Sequence, residues 1–307
     1  MKQKPALLVI AVLCAALVGG CTTGSQPGSA SSAQTQQAVK LADRNWDGFN
    51  KAQIEKFLAT YGKGSPNYNP AKPPYAVFDW DNTMVFLDVE EATFIYQLEN
   101  LRFAMTPAQM DKALRMEVPK GNFVKDYNNA AGEPVNIDLV VPDAVESYTW
   151  IYNNYKGMKG KLSLEEVKKN PHYTNFVTKT RYMYEAIGDT FDVSVAYPWV
   201  LYLFTGMNEQ QVRQMVNETL AWQKTQPIEK VKWTSPASLP GKAGVVSVSW
   251  KNGLRLMPEM QDIFQAFRTA GIDIQITNLL PSSRTSAKAS RERPAKSVSA
   301  SLVLTLP

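Results

Sequence analysis

Between residues 38 and 61, apolar side chains fall at Leu41, Trp46, Phe49, Ile54, Phe57 and Leu58 with charged residues between them. That approximate 3.6-residue spacing predicts one or two amphipathic helices. The stretch "GKGSPNYNPAKPP" is dense in Gly, Asn and Pro and predicts a loop. It delivers the chain to "YAVFD", Tyr75 to Asp79, a short apolar run that predicts a strand buried on both faces. Helical patterns follow in "VEEATFIYQLENLRF" and in "TPAQMDKALRM", the second opening on Thr106 as a cap. From Tyr148 to Trp222 the chain is rich in helix-like segments and large aromatics, without a repeat. The segment "VKWTSPASLPGKAGVVSVSWKNGLRLMP" alternates and carries turn residues, which predicts a hairpin. Next, "EMQDIFQAFRTAG" predicts a helix stopped by Gly271, and "IDIQIT" a second short strand. Strand, long helical insertion, helix, strand is the order of an α/β sheet carrying an inserted cap.

Both ends differ in kind from this body. Lys2 and Lys4 precede the apolar run "ALLVIAVLCAALV", which is too short for an ordinary membrane span and leads into small residues. This is the pattern of a secretory signal over residues 1–20. Gly19 and Gly20 directly before Cys21 resemble a bacterial lipobox, so Cys21 is the expected lipidation site, and a Ser/Gln/Gly tether over 21–40 suits a membrane-anchored domain. An ordinary signal peptide that happens to hold a cysteine is the alternative. The expected location is extracytoplasmic, periplasmic or otherwise, on a bacterial membrane. With Cys14 leaving and Cys21 carrying lipid, the mature domain has neither free thiol nor disulfide.

The net charge of +5 is unevenly spread. Lys2 and Lys4 hold part of it, and the last thirty or so residues hold Arg284, Lys288, Arg291, Arg293 and Lys296 against Glu292 alone. The body between is close to neutral, which argues against nucleic acid as a partner. The tail, residues 279–307, is rich in Ser, Ala, Arg and Lys without Gly, aromatic residues or periodicity, as disordered or out-of-frame sequence is.

The candidate chemistry lies in "VFDWDNT". Residues i and i+2 of a strand face one side, so Asp79 and Asp81 can both look into the crevice at its carboxyl end, where open α/β sheets bind ligands. Two adjacent carboxylates repel each other unless a cation lies between them. Oxygen-only ligation favours Mg²⁺, whose shell a phosphate commonly completes. Asp79 can then attack phosphorus as the nucleophile, while Asp81 protonates the leaving oxygen and later accepts a proton from water. Thr83 can hold the turn through its hydroxyl. The plain alternative is that Asp and Asn after a strand form a turn and nothing more. His172 is the only histidine, so histidine-phosphatase and multi-histidine zinc chemistry lack their parts; its place in "NPHYTN" reads as a loop.

The strand followed by Asp79, Asp81 and Thr83 resembles the first signature of the haloacid dehalogenase superfamily, DxDxT. Through "NWDGFN", "DWDNT", "DVEEATFIYQLENLRF" and "YPWVLYLFTGM" the chain is similar to that family's exported bacterial phosphatases, the phosphorylcholine and phosphoserine phosphatase-like branch. The resemblance implies a Rossmann-like parallel sheet with a large, mainly helical cap between the two motif strands. Its expected division is core over 41–100, cap over 101–255 and core helix with second motif strand over 256–278. It implies a Mg²⁺-dependent phosphomonoesterase acting through an aspartyl-phosphate on a small phosphorylated metabolite. Asp79 and Asp81 would be catalytic and metal-binding, Thr277 and Asn278 phosphate-binding. Trp80, Glu90, Glu91, Tyr197 and Trp199 are its candidate substrate contacts, the glutamates and aromatics suiting a cationic, choline-like group. Glu90 and Glu91 can equally be first-turn helix acids, and the aromatics cap core.

The family pattern breaks after the second strand. It calls for a lysine beside the nucleophile and a later aspartate for the metal, yet no aspartate follows Asp273. This implies an incomplete sheet, which a change of reading frame near Ile276 or Thr277 would explain. A disabled lipoprotein of the same fold that only binds a small ligand is the alternative function.

Overall fold

A computed structural model describes residues 39–277. In chain order the elements are α1 (Gly48–Tyr61), β1 (Tyr75–Asp79), β2 (Val85–Phe86), α2 (Val89–Glu99), α3 (Pro107–Arg115), α4 (Ile137–Asn154) and α5 (Leu164–Lys168). There follow α6 (Pro171–Thr190), α7 (Val193–Leu201), α8 (Glu209–Gln223), β3 (Glu229–Thr234), β4 (Ser247–Asn252), β5 (Arg255–Leu256), α9 (Pro258–Thr269) and β6 (Asp273–Thr277). The architecture is mixed α/β, with a small parallel sheet and many helices. Cys21 and Asn278 lie outside the described residues, as do the signal, most of the tether and the tail.

Helix boundaries follow local chemistry. Helices α1 to α8 each begin after an Asp, Asn, Ser or Thr whose side chain accepts a backbone N–H of the first turn. Such caps satisfy donors that the helix itself leaves unpaired, each contributing about 1 kcal/mol. Thr106 forms a full capping box with Gln109, as its position before the apolar pattern predicts. Helix α9 instead starts with Pro258 and ends before Gly271, whose φ of +70° a side chain rarely adopts.

The described residues form two compact units: 39–86 with 256–277, and Leu87–Arg255. Helix α2, expected with the N-terminal core, therefore belongs to the inserted unit. In the first unit β1 and β6 pair in parallel, in register from Tyr75↔Asp273 to Asp79↔Thr277. Phe78 meets Phe264 and Phe267 of α9 edge-on, and Phe57 of α1 stacks on Phe267. Among the described residues only one face of this sheet is covered. Tyr75 is 64% exposed and Val77 51%, so β1 is not buried on both faces as its apolar run predicts.

The second unit is a helical body carrying the antiparallel β3–β4 hairpin. Its core gathers Phe94, Leu98, Met110, Val140, Tyr148, Phe176, Met183 and Trp199. Helix α6 is unusual in burying charge: Lys179 and Arg181 are fully enclosed. Lys179 donates to Asp143 of α4 (2.8 Å) and to the Pro240 carbonyl (2.7 Å). Asp143 also accepts the backbone N–H groups of Lys242 (2.8 Å) and Ala243 (2.9 Å), which ties the loop before β4 to the helices.

Candidate functional site

The register of the parallel ladder places Asp79 and Thr277 opposite one another at the carboxyl ends of β1 and β6. Two segments almost two hundred residues apart in sequence thus end side by side, at the edge where open α/β sheets take ligands. Beyond Asp79 the backbone turns sharply. The Trp80 carbonyl accepts the N–H groups of Thr83 (3.3 Å), Met84 (2.8 Å) and Val85 (3.3 Å), and Asn82 adopts a left-handed φ of +55°. Asn tolerates that conformation better than most residues. The turn is therefore held by a carbonyl on which three amides converge, with the Thr83 side chain exposed.

The two carboxylates sit differently from ordinary turn acids. Asp81 is 5% exposed, and Oδ1 of Asp79 is buried without a hydrogen-bond partner. An orphaned carboxylate oxygen in a protein interior costs free energy unless something fills the gap. Asp79 and Asp81 are hard oxygen donors that fit Mg²⁺, which binds through one or two carboxylates with water and phosphate completing its shell. Among the described residues no group of three or more His, Cys, Asp or Glu gathers to hold a metal ion.

Of the remaining candidates, Trp80 belongs to the first unit, and Glu90, Glu91, Tyr197 and Trp199 belong to the second. Trp80 is half-buried between the two aspartates. Glu90 and Glu91 occupy the first turn of α2, where Asp88 caps the helix by accepting the Glu91 N–H at 2.8 Å. Glu91 is not poised to meet a cationic substrate group: its carboxylate pairs with the buried Arg181 guanidinium, which also donates to Glu185 (2.7 Å). Arg181 itself lies over the rings of Phe94, Tyr184 and Trp250, at 6.0, 4.7 and 5.1 Å. The cation in this aromatic cage is thus the protein's own.

Trp199 is a core residue rather than a ligand platform. It is 1% exposed, donates Nε1–H to the Leu114 carbonyl (2.9 Å) and meets Phe94 edge-on. Tyr197, on the same helix α7, is half-buried. His172 falls in the first turn of α6, not in a loop; its ring stacks on Trp150, and Nδ1 lies 3.2 Å from Ser147 Oγ. Nothing in the sequence singles out Asp143, Lys179 and Arg181. A lysine and an arginine two positions apart in a helix read as exposed, and only the packing of α6 shows otherwise.

No protein-family model and no curated protein matches the chain. Among solved structures it is similar to a conserved functionally unknown protein from Anaerococcus prevotii DSM 20548, with a TM-score of 0.74 and 32% sequence identity. The similarity covers 78% of this chain and 63% of that one, so the chain spans under two thirds of its neighbour's length.

Proposed function

We propose that the chain is, by design of its first unit, a Mg²⁺-dependent phosphomonoesterase of the haloacid dehalogenase type. The observation that carries this reading is the pairing of Asp79 with Thr277 at the carboxyl edge of a parallel sheet, with an Asp79 oxygen buried and unpaired. In this reading Asp79 attacks the phosphorus of a small phosphomonoester. The bond from phosphorus to the alcohol oxygen breaks, and Asp81 gives that oxygen its proton. Asp81 then takes a proton from water as the water oxygen attacks the aspartyl-phosphate, releasing phosphate and restoring the Asp79 carboxylate. The Thr277 hydroxyl would hold a phosphoryl oxygen. Mg²⁺ held by Asp79 and Asp81 would neutralise phosphate charge during attack by an anion.

A phosphocholine-like or phosphoserine-like substrate belongs to the same proposal, as do export, lipidation at Cys21 and the Rossmann-like fold. The choline-like variant loses support from Glu91 and Trp199, both engaged within the protein. A second reading, a disabled ligand-binding relative, is favoured by one observation: among the described residues no group of three or more His, Cys, Asp or Glu gathers beside Asp79 and Asp81 to complete a metal shell.

The test is turnover of p-nitrophenyl phosphate, phosphocholine and phosphoserine with Mg²⁺ or with EDTA, beside Asp79→Asn. Metal-dependent turnover that the variant lacks supports the enzyme. A folded wild-type chain with no turnover makes it the disabled relative.

A further inference from the structure

The proposed chemistry makes no use of the outer face of the β3–β4 hairpin. Strand alternation turns Val231, Trp233, Val248 and Trp250 inward onto the helical core. It turns Lys230, Lys232, Thr234, Ser247, Ser249 and Lys251 outward. The antiparallel register sets Lys230 directly opposite Lys251, and Lys232, opposite Ser249, comes next along the same face.

Like charges facing one another across a ladder destabilise a hairpin. Nothing in the described residues offsets this: none of the three lysines forms an ion pair. Glu229 is the only acid between residues 229 and 252, and it alternates to the opposite face. The fold thus carries a repulsion that a surface of negative charge would relieve.

The hydroxyls narrow the chemistry. Thr234 Oγ1 and Ser247 Oγ lie 2.8 Å apart at one end of this face, with Ser249 between them and the Lys230–Lys251 pair. Ammonium groups and hydroxyls together supply the charge and the donors that phosphate oxygens accept. Side chains on one sheet face stand roughly perpendicular to it, so the three ammonium groups can reach a common plane rather than enclose a single ion. A planar array of phosphates fits that geometry. A nucleic-acid duplex fits less well, because its partners carry a basic surplus that the near-neutral body of this chain lacks.

We infer that the outer face of the β3–β4 hairpin docks on an anionic phospholipid surface, its lysines against the headgroup phosphates. The lipid expected on Cys21 would keep the hairpin at high effective concentration beside such a surface. The docking is independent of the proposed activity and is tested without it.

The probes are vesicles of phosphatidylglycerol and, as the neutral comparison, vesicles of phosphatidylcholine. The protein is the full chain carrying Cys21→Ser, so that no lipid anchors it. Lys230→Gln, Lys232→Gln and Lys251→Gln together are expected to lower partition onto the anionic vesicles by about 100-fold at low salt, near fivefold for each lysine. Arginine at the same three positions should keep the wild-type partition. So should Lys156→Gln, Lys159→Gln and Lys161→Gln together, which remove as much charge from exposed positions elsewhere in the same unit. The glutamine hairpin variant should unfold at or above the wild-type temperature, since the Lys230–Lys251 repulsion is gone. A loss under about tenfold, an equal loss in the comparison variant or in the arginine variant, a lowered unfolding temperature, or binding to a DNA duplex in place of the anionic vesicles overturns the inference.

Discussion

Lys179→Met tests whether the second unit is organised around a buried ion pair. Lys179 is fully buried and Asp143 is 4% exposed, so neither charge is solvated. Methionine keeps the stem's volume and removes the ammonium. Asp143 keeps the Lys242 and Ala243 amides, but the Pro240 carbonyl loses its donor. Removing one partner of a buried pair costs about 3–5 kcal/mol, and the two remaining amides place this variant near 3 kcal/mol. Asp143→Leu is expected to cost more, about 5 kcal/mol, because it strands a buried ammonium and both amides. The double variant removes both charges and should recover part of the loss, a coupling of about 1–3 kcal/mol. Urea unfolding followed by tryptophan fluorescence measures this, since five of the seven tryptophans lie within Leu87–Arg255. The pH dependence adds a signature. Burial lowers the Lys179 pKa, against the opposing pull of Asp143. Between that folded value and 10.5 the unfolded chain binds more protons, so stability rises with pH there, and the gap between wild type and Lys179→Met widens. A loss under about 1 kcal/mol in Lys179→Met, or strict additivity in the double variant, refutes the reasoning.

Three further outcomes follow from the site and the core. Trp199→Ala should destabilise the protein by about 3–5 kcal/mol, with any turnover in the folded fraction keeping its KM; a raised KM at full stability would restore a substrate role. On the proposed mechanism, Asp81→Asn should lower phosphomonoester turnover by about 10²–10⁴-fold with stability kept, and unaltered turnover would remove Asp81 as the proposed acid and base. Burial raises the Glu99 pKa, opposed by Lys168. The protonated form is favoured in the fold, so this contribution is complete below 4.5 and is lost as pH rises through the folded value. Glu99→Gln should therefore match wild type in acid and gain on it toward neutral pH in thermal unfolding; a pH-independent difference refutes the assignment.

The sequence by itself determined the features that depend on a few neighbouring residues. The strand before Asp79, the Thr106 cap, the Gly271 stop, the hairpin across 231–252 and the second strand ending at Thr277 were each legible from period and terminal chemistry. Even so, α4 begins at Ile137, well before the helical stretch that its aromatics suggest, because Asn136 caps it and Pro142 hides its period. Tertiary structure alone decided which face of β1 is covered, since a strand's own pattern does not say how many layers pack on it. It alone decided that Glu91 binds Arg181, ninety residues on, and that Trp199 closes over Phe94. Helix caps and turns are short-range interactions written in adjacent residues. Burial and charge pairing depend on which distant helix arrives beside a side chain, and a glutamate or tryptophan reads the same in sequence whether it faces a ligand or its own core.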